Sequence, residues 1–306
     1  MIYQRLVSLC VSILLFTLGL SNLIIAQNIS PLPLLDRIQN RDYPSIGSIW
    51  AEIGWIVPKN RPDLSRVNHL ALHDFHITYG FGLPYYRKYG ELFGEFDESL
   101  AMRDAYHRIN PNIIFLFTVQ MRDAHRGYFP DDSPYWVRDE DDSPVTGWMD
   151  TYLIDFTRPD VIDLIVEQAI EVSKCGLYDG IFFDWWTEDW YVLKGHRTIA
   201  EEQHARDEIL RRIREVVPTD FLIMVNGNRN QLRRTGEYIN GVFMETTIPD
   251  TKQGDDLITK LRECESAILW SEENLREPRL IILEGYKIPK YPVNSPENLA
   301  WMRAFT

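Results

Sequence analysis

Short apolar runs alternate with amphipathic stretches along most of this chain. The runs at residues 46–53, 67–75, 113–119, 180–184, 221–225, 241–244 and 280–283 are mostly rich in Ile, Val, Leu and Phe. Runs of this kind, apolar on both faces, predict parallel strands covered by helices. Between them the period becomes helical, as in the stripe Val161, Ile162, Ile165, Ala169 and Val172. The segment Thr157-Arg-Pro-Asp160 predicts a capping box, with Thr157 as cap and Asp160 reaching back, for a helix running to about Ser173. Thr198-Ile-Ala-Glu201 repeats that signal for a helix that stops before Pro218, and Ser295-Pro296 opens a last helix.

Alternating strands and helices mean βα units and a parallel sheet. Seven such units predict an α/β fold of the (β/α)8 TIM-barrel type that lacks its last strand, because Thr306 falls inside the helix expected after strand seven. A doubly wound nucleotide-binding sheet loses its support, since no GxGxxG follows the first strand and no GxxxxGK[ST] occurs. The barrel is expected over residues 46–306, after a Pro-containing linker at 27–45. Residues 1–26 carry Arg5 and then an uncharged apolar stretch to Ala26, which suits a signal peptide or a membrane anchor. Cleavage would make the protein secreted or periplasmic; contact with a membrane is expected only if the segment stays.

The composition, 45% hydrophobic and 25% charged, is that of an ordinary globular domain. A formal net charge of -13 without a basic stripe argues against nucleic acid as a partner. Cys175 and Cys264 would remain after cleavage, either as buried thiols or as a disulfide. With no CxxC pair and no zinc spacing, neither a metal nor a cofactor is expected. The acidic run 139–142 reads as a solvated turn in preference to a cation site, inside a long segment able to wall a cleft.

In such barrels chemistry sits at the carboxyl ends of the strands. Polar residues recur there: His73, Asp74 and His76 on strand two, Gln120 and Arg122 on strand three, then Asp184, Asn226, Glu245 and Glu284 on the next four. Strand alternation puts Asp74 with His76, and Phe182 with Asp184, on shared faces, so the acids are expected to converge at the mouth. Glycosidic cleavage requires such convergence, one carboxyl protonated and one ionised. Asp184 is followed by Trp185, Trp186, Trp190 and Tyr191, flat rings that suit sugar faces or, alternatively, pack a loop. Asp184 and Glu245 are therefore the candidate catalytic pair. Asp74, His76, Gln120, Arg122, Trp185, Trp186, Asn226 and Glu284 are candidate carbohydrate contacts.

The run from DFTRP through GLYDGIFFDWW, then NGN and GVFMET, resembles glycoside hydrolases of the TIM-barrel superfamily. It is most similar to the hypothetical glycosyl hydrolase family 15 type, from about residue 46 onward. The resemblance implies Asp184 as nucleophile and Glu245 as general acid/base, acting on a carbohydrate substrate. Two other readings stay open: a non-catalytic carbohydrate-binding barrel, and a metal-dependent amidohydrolase-like barrel built on the HxxH pair His73 and His76.

Overall fold

The computed structural model describes residues 32–39, 41, 45–49, 70–78, 96–245 and 254–303, without the side chains of 98 and 254–257. The expected signal or anchor segment and parts of the first two strand runs lie outside the described residues. The chain begins with α1 (Leu34–Gln39), β1 (Gly47–Ile49), β2 (Phe75–Thr78), α2 (Phe96–Ile109) and β3 (Ile114–Val119). A hairpin, β4 (Asp123–His125) and β5 (Thr151–Leu153), precedes α3 (Pro159–Lys174), β6 (Gly180–Phe183) and α4 (Ile199–Val216). Then come β7 (Leu222–Asn226), β8 (Gly241–Glu245), α5 (Gly254–Asn274), β9 (Leu280–Glu284) and α6 (Pro296–Met302).

Seven strands pair in the order β1-β2-β3-β6-β7-β8-β9, all parallel, and curl into a nearly closed barrel. A Cβ placed on Gly47 of β1 would stand 3.9 Å from Ile282 of β9, so the two edge strands face each other across the seam. Inside, Phe75, Ile77, Ile114, Leu116, Phe182, Leu222, Met224 and Phe243 form one buried cluster. Outside, the alternate residues Phe115, Phe117, Ile181, Phe183, Ile223 and Val225 pack in the larger core that holds Ile165 and Ala169 of α3 and Ile209 and Ile213 of α4. This two-sided burial is why the strands are apolar along their whole length.

The helix starts follow local chemistry. Thr198 and Glu201 form the reciprocal capping box expected of them, and Ser295 accepts from Asn298 N–H. The box expected at Thr157 does not form. Arg158 is the N-cap without a side-chain bond and pairs with Asp160, while Thr157 donates to Asp155 at 2.6 Å. The buried carboxylate of Asp155, two residues earlier, takes the hydroxyl in preference to the helix N-terminus. Cys175 and Cys264 are free thiols, so the disulfide alternative is not realised.

Part of the expected linker is built into the barrel floor. Leu34 and Ile38 of α1 pack on the inner cluster, and buried Arg37 reaches Asp179 at 2.5 Å and the Ile113 carbonyl at 2.8 Å. Asp179 also accepts from Phe115 N–H at 3.0 Å and lies 3.6 Å from Arg103. Burial alone would push this carboxyl up, but the Arg37 bond and charge, with Arg103 and the Phe115 N–H, hold it below the usual carboxylate range. Next to it, Gly180 must be glycine: a Cβ there would stand 2.2 Å from the Leu222 carbonyl oxygen. Replacing Asp179 with Asn strands a buried guanidinium and is expected to cost about 3–5 kcal/mol in urea unfolding. Because the folded pKa is depressed, this contribution is complete above the unfolded pKa and fades as pH falls through the folded one. The loss on substitution should therefore shrink in acid; a pH-independent loss would contradict the ion pair.

Candidate active site

The mouth of the barrel continues the inner faces of its strands. Two residues beyond Phe182, Met224, Phe243 and Ile282 stand Asp184, Asn226, Glu245 and Glu284, each on the same side as its apolar predecessor. The pairing of Phe183 with Val225 brings Asp184 beside Asn226, and Glu245 is the direct partner of Glu284. On β3 the same period carries Thr118 and then Gln120 to the rim. Polar residues thus cap a dry interior, where desolvation and neighbouring charge control proton affinity.

One side chain joins the two central acids. The Asn226 amide nitrogen donates to Asp184 Oδ1 at 2.8 Å and to Glu245 Oε1 at 3.2 Å. Asp184 Oδ1 also accepts from the Trp185 N–H at 2.9 Å. Trp185 has φ of 56°, the left-handed region, which turns its N–H back onto the carboxylate. Burial raises the Asp184 pKa, opposed by the Asn226 and Trp185 bonds and by Arg122, and assisted by Asp123. Glu245 is raised by burial and then by the charges of Asp184 and Glu284, with only the Asn226 bond opposing. Glu284 is raised by burial and eased by a hydrogen bond from Tyr286. The Tyr286 hydroxyl is itself pushed upward, by burial first and then by Glu245 and Glu284, and stays a donor. Both acids are thus held above the usual carboxylate range, and Asp184 has two hydrogen-bond donors to its anion where Glu245 has one. Buried Gln120 Oε1 and Asn226 Oδ1 meet no donor among the described residues.

The aromatic run divides by face. Trp185 is 41% exposed with the Arg122 guanidinium 4.0 Å over its ring, whereas Trp186 is 1% exposed. Trp186 packs on Phe183 and is bonded to Thr235, so it belongs to the core and cannot meet a ligand. A second exposed ring, Trp148 at 62%, lies 6.3 Å from Trp185. Trp148 sits at the turn before β5, pinned by its N–H to Asp123 at 3.0 Å, while Thr151 donates to the same carboxylate at 2.6 Å. Arg122 donates to the Val192 carbonyl at 3.1 Å, and Glu202 accepts from both Val192 and Leu193 N–H at 3.0 Å, which fastens the loop after β6.

Two expected contacts lie elsewhere. The second strand begins at Phe75, and Leu70 to Asp74 form a turn leading into it. Asp74 is therefore at the amino end of β2, bonded by Asn110 at 3.0 Å, at the opposite pole from the other acids. His76 points outward, stacked on Phe115 and bonded to the Leu70 carbonyl at 3.0 Å. Burial lowers its pKa to about 4, against the Leu70 bond, so it is neutral. The HxxH pair accordingly does not reach the mouth. The acidic run is a turn in which Asp139 accepts from Asp141 and Ser143 N–H. Sequence inspection missed Trp148, Asp123 and Tyr286; Tyr286 alone carried a signal, as the residue that repeats the strand period beyond Glu284.

A parallel barrel with a polar ring at its carboxyl pole defines the TIM-barrel class. No family model and no curated protein matches the chain. Among solved structures it is similar to an α-galactosidase from Thermus thermophilus in complex with p-nitrophenyl α-D-galactopyranoside, with 14% identity and a TM-score of 0.50, covering 86% of this chain and 56% of that one. It is also similar to Aspergillus fumigatus Ega3 in complex with galactosamine, at 8% identity and TM-score 0.50, with 84% of each chain covered. A third is a GH36 α-galactosidase from Geobacillus stearothermophilus in complex with stachyose, at 10% identity and TM-score 0.51, covering 85% of this chain and 37% of that one. The fold is thus that of TIM-barrel glycoside hydrolase structures, and this chain spans about half the length of the first of them.

Proposed function

We propose that the protein hydrolyses an O-glycosidic bond of a poly- or oligosaccharide, with Asp184 as nucleophile and Glu245 as general acid/base. The observation that carries this reading is the shared Asn226 amide. Bonds of 2.8 and 3.2 Å to one nitrogen keep the two oxygens within 6.0 Å of each other, which admits the roughly 5–5.5 Å spacing of retaining enzymes and falls short of the roughly 6.5–9.5 Å of inverting ones. Two carboxyls held together with raised pKa values suit proton transfer, which favours hydrolysis over a barrel that only binds sugar.

Asp184, ionised, attacks the anomeric carbon as the glycosidic C–O bond breaks, and the Glu245 proton passes to the leaving oxygen. Glu245, now a carboxylate, takes a proton from water, which displaces Asp184 and releases the sugar with its configuration retained. Gln120 and Asn226 oxygens offer acceptors to sugar hydroxyls, and Trp185 and Trp148 offer ring faces. Loss of one stacking ring is worth about 0.5–1.5 kcal/mol, so Trp148→Ala should raise KM roughly 2- to 13-fold at similar kcat. A fall in kcat alone would remove Trp148 from the binding surface.

The likeness of DGIFFD and GVFMET to the hypothetical glycosyl hydrolase family 15 type supports the same roles. The apolar residues before Gln27 support export from the cytoplasm. N-terminal sequencing of exported protein should then start at Gln27; an intact chain pelleting with membranes would favour an anchor. The activity itself is tested by reducing-sugar release from a panel of neutral and acidic glycans. Wild type should release sugar from at least one and Asp184→Asn from none; equal release by both would overturn the assignment.

A further inference from the structure

A cavity of about 710 Å³ opens between the loop after β6, the loop after β7 and the outer side of α5. Four arginines line it: Arg229, Arg233, Arg234 and Arg262. That concentration is unexpected in a chain of net charge -13. Two of the four are satisfied by acids, Arg229 with Glu263 at 3.1 Å and Arg234 with Asp207. The other two have no carboxylate partner among the described residues. Arg233 is held through Nε and Nη2 by the neutral Gln231 oxygen, at 3.1 and 2.6 Å, and Arg262 is exposed on α5.

The arrangement is also braced. Gln231 donates to Ser266 Oγ on α5 at 3.1 Å, so the amide that orients Arg233 also ties its loop to the helix bearing Arg262. Glu188, the lining acid nearest this loop in its bonding, is turned away: its carboxylate is buried and accepts from Arg234 N–H, Thr235 N–H and the Thr235 hydroxyl. Asp189, on the rim contributed by the β6 loop, has no cationic partner among the described residues. Four arginines against the lining acids Glu188, Asp189 and Glu263 leave one positive charge in excess, with Arg233 the unpaired guanidinium that is held in place. A guanidinium fork matches the two oxygens of a carboxylate or sulfate, and its geometry is set before the ligand arrives.

Both loops leave strands that carry the catalytic residues. Asp189 follows Asp184 by five positions and Arg229 follows Asn226 by three, so the cavity belongs to the same pole as the acids. We infer that this cavity is a subsite for an anionic group, a uronate or a sulfate, carried by the saccharide, with Arg233 and Arg262 as its ligands. The inference rests on the glycosidase reading for its ligand being a saccharide.

Binding is measured on the full chain carrying Asp184→Asn, so that turnover does not intervene. Calorimetry would compare a galacturonate oligosaccharide, a sulfated galactan oligosaccharide and a neutral galactan oligosaccharide of equal length. At low salt one of the two anionic ligands should bind at least about tenfold tighter than the neutral one, as charge-assisted bonds require. Which of them does so identifies uronate or sulfate. The gap should close near ~1 M salt, where the screening length falls to about 3 Å. Adding R233Q and R262Q should erase the gap, with an unchanged circular dichroism melt showing that the fold is kept. Equal affinity for all three ligands, or a gap that survives both substitutions, would overturn the subsite. Hydrolysis of neutral glycans without anionic preference would overturn this inference alone. Anionic binding with no hydrolysis of any glycan by the wild type would instead overturn the glycosidase reading.

Discussion

Replacing Asp184 with Asn is expected to lower kcat by on the order of 10⁴-fold or more, because a neutral amide cannot form the glycosyl ester. The fold should not suffer. Asn keeps an oxygen to accept from Asn226 and from the Trp185 N–H, which carry the present contacts. It also removes a charge that burial disfavours, since the folded pKa of Asp184 is raised. A group with a raised folded pKa opposes folding once pH exceeds the unfolded value, so the variant should melt at the same or a higher temperature near pH 7. Calorimetry beside a single-turnover assay separates these effects. A variant both inactive and several degrees less stable would mean that Asp184 holds the fold and not the reaction.

Glu245→Gln should act differently on different substrates. Hydrolysis of natural glycosides is expected to fall about 10²–10⁴-fold, the range of one lost general acid. Aryl glycosides with acidic leaving groups need no proton at departure and should keep most of their first-step rate, accumulating a glycosyl-enzyme when water is no longer activated. The pH profile carries a second test. In the proposed reaction Asp184 is ionised and Glu245 protonated, so the alkaline limb follows Glu245, whose pKa is raised by burial and by the charges of Asp184 and Glu284. Removing one of those charges with Glu284→Gln should move the alkaline limb to lower pH. A limb that stays in place would show that another group carries the proton.

The later strands were legible because each is an apolar run that stops at a polar residue. A period of two then assigns that residue to the inside, as for Phe182 and Asp184 or Phe243 and Glu245. The second strand was misread because Leu70 and Ala71 are buried by a turn and not by a strand, which extends the apolar run toward the amino end. Asp74 consequently fell at the wrong pole. Trp185 and Trp186 are indistinguishable by composition; the left-handed φ at Trp185 decides which one faces outward. Trp148 was invisible because its place beside Trp185 depends on the β4–β5 hairpin, 37 residues away in the chain. The arginine cavity was hidden similarly, since the loop after β7 and the turns of α5 meet only in the folded chain.

The amide that joins the acids also makes their ionisation observable. The Asn226 side-chain nitrogen donates to both carboxylates, Asp184 at 2.8 Å and Glu245 at 3.2 Å. Titrating strongly coupled acids ordinarily yields macroscopic values that belong to the pair. Here the NH2 resonances of one nitrogen-15-labelled side chain lie against both acids and would shift as the pair titrates. The protein thus carries its own reporter on the proton balance of the pair.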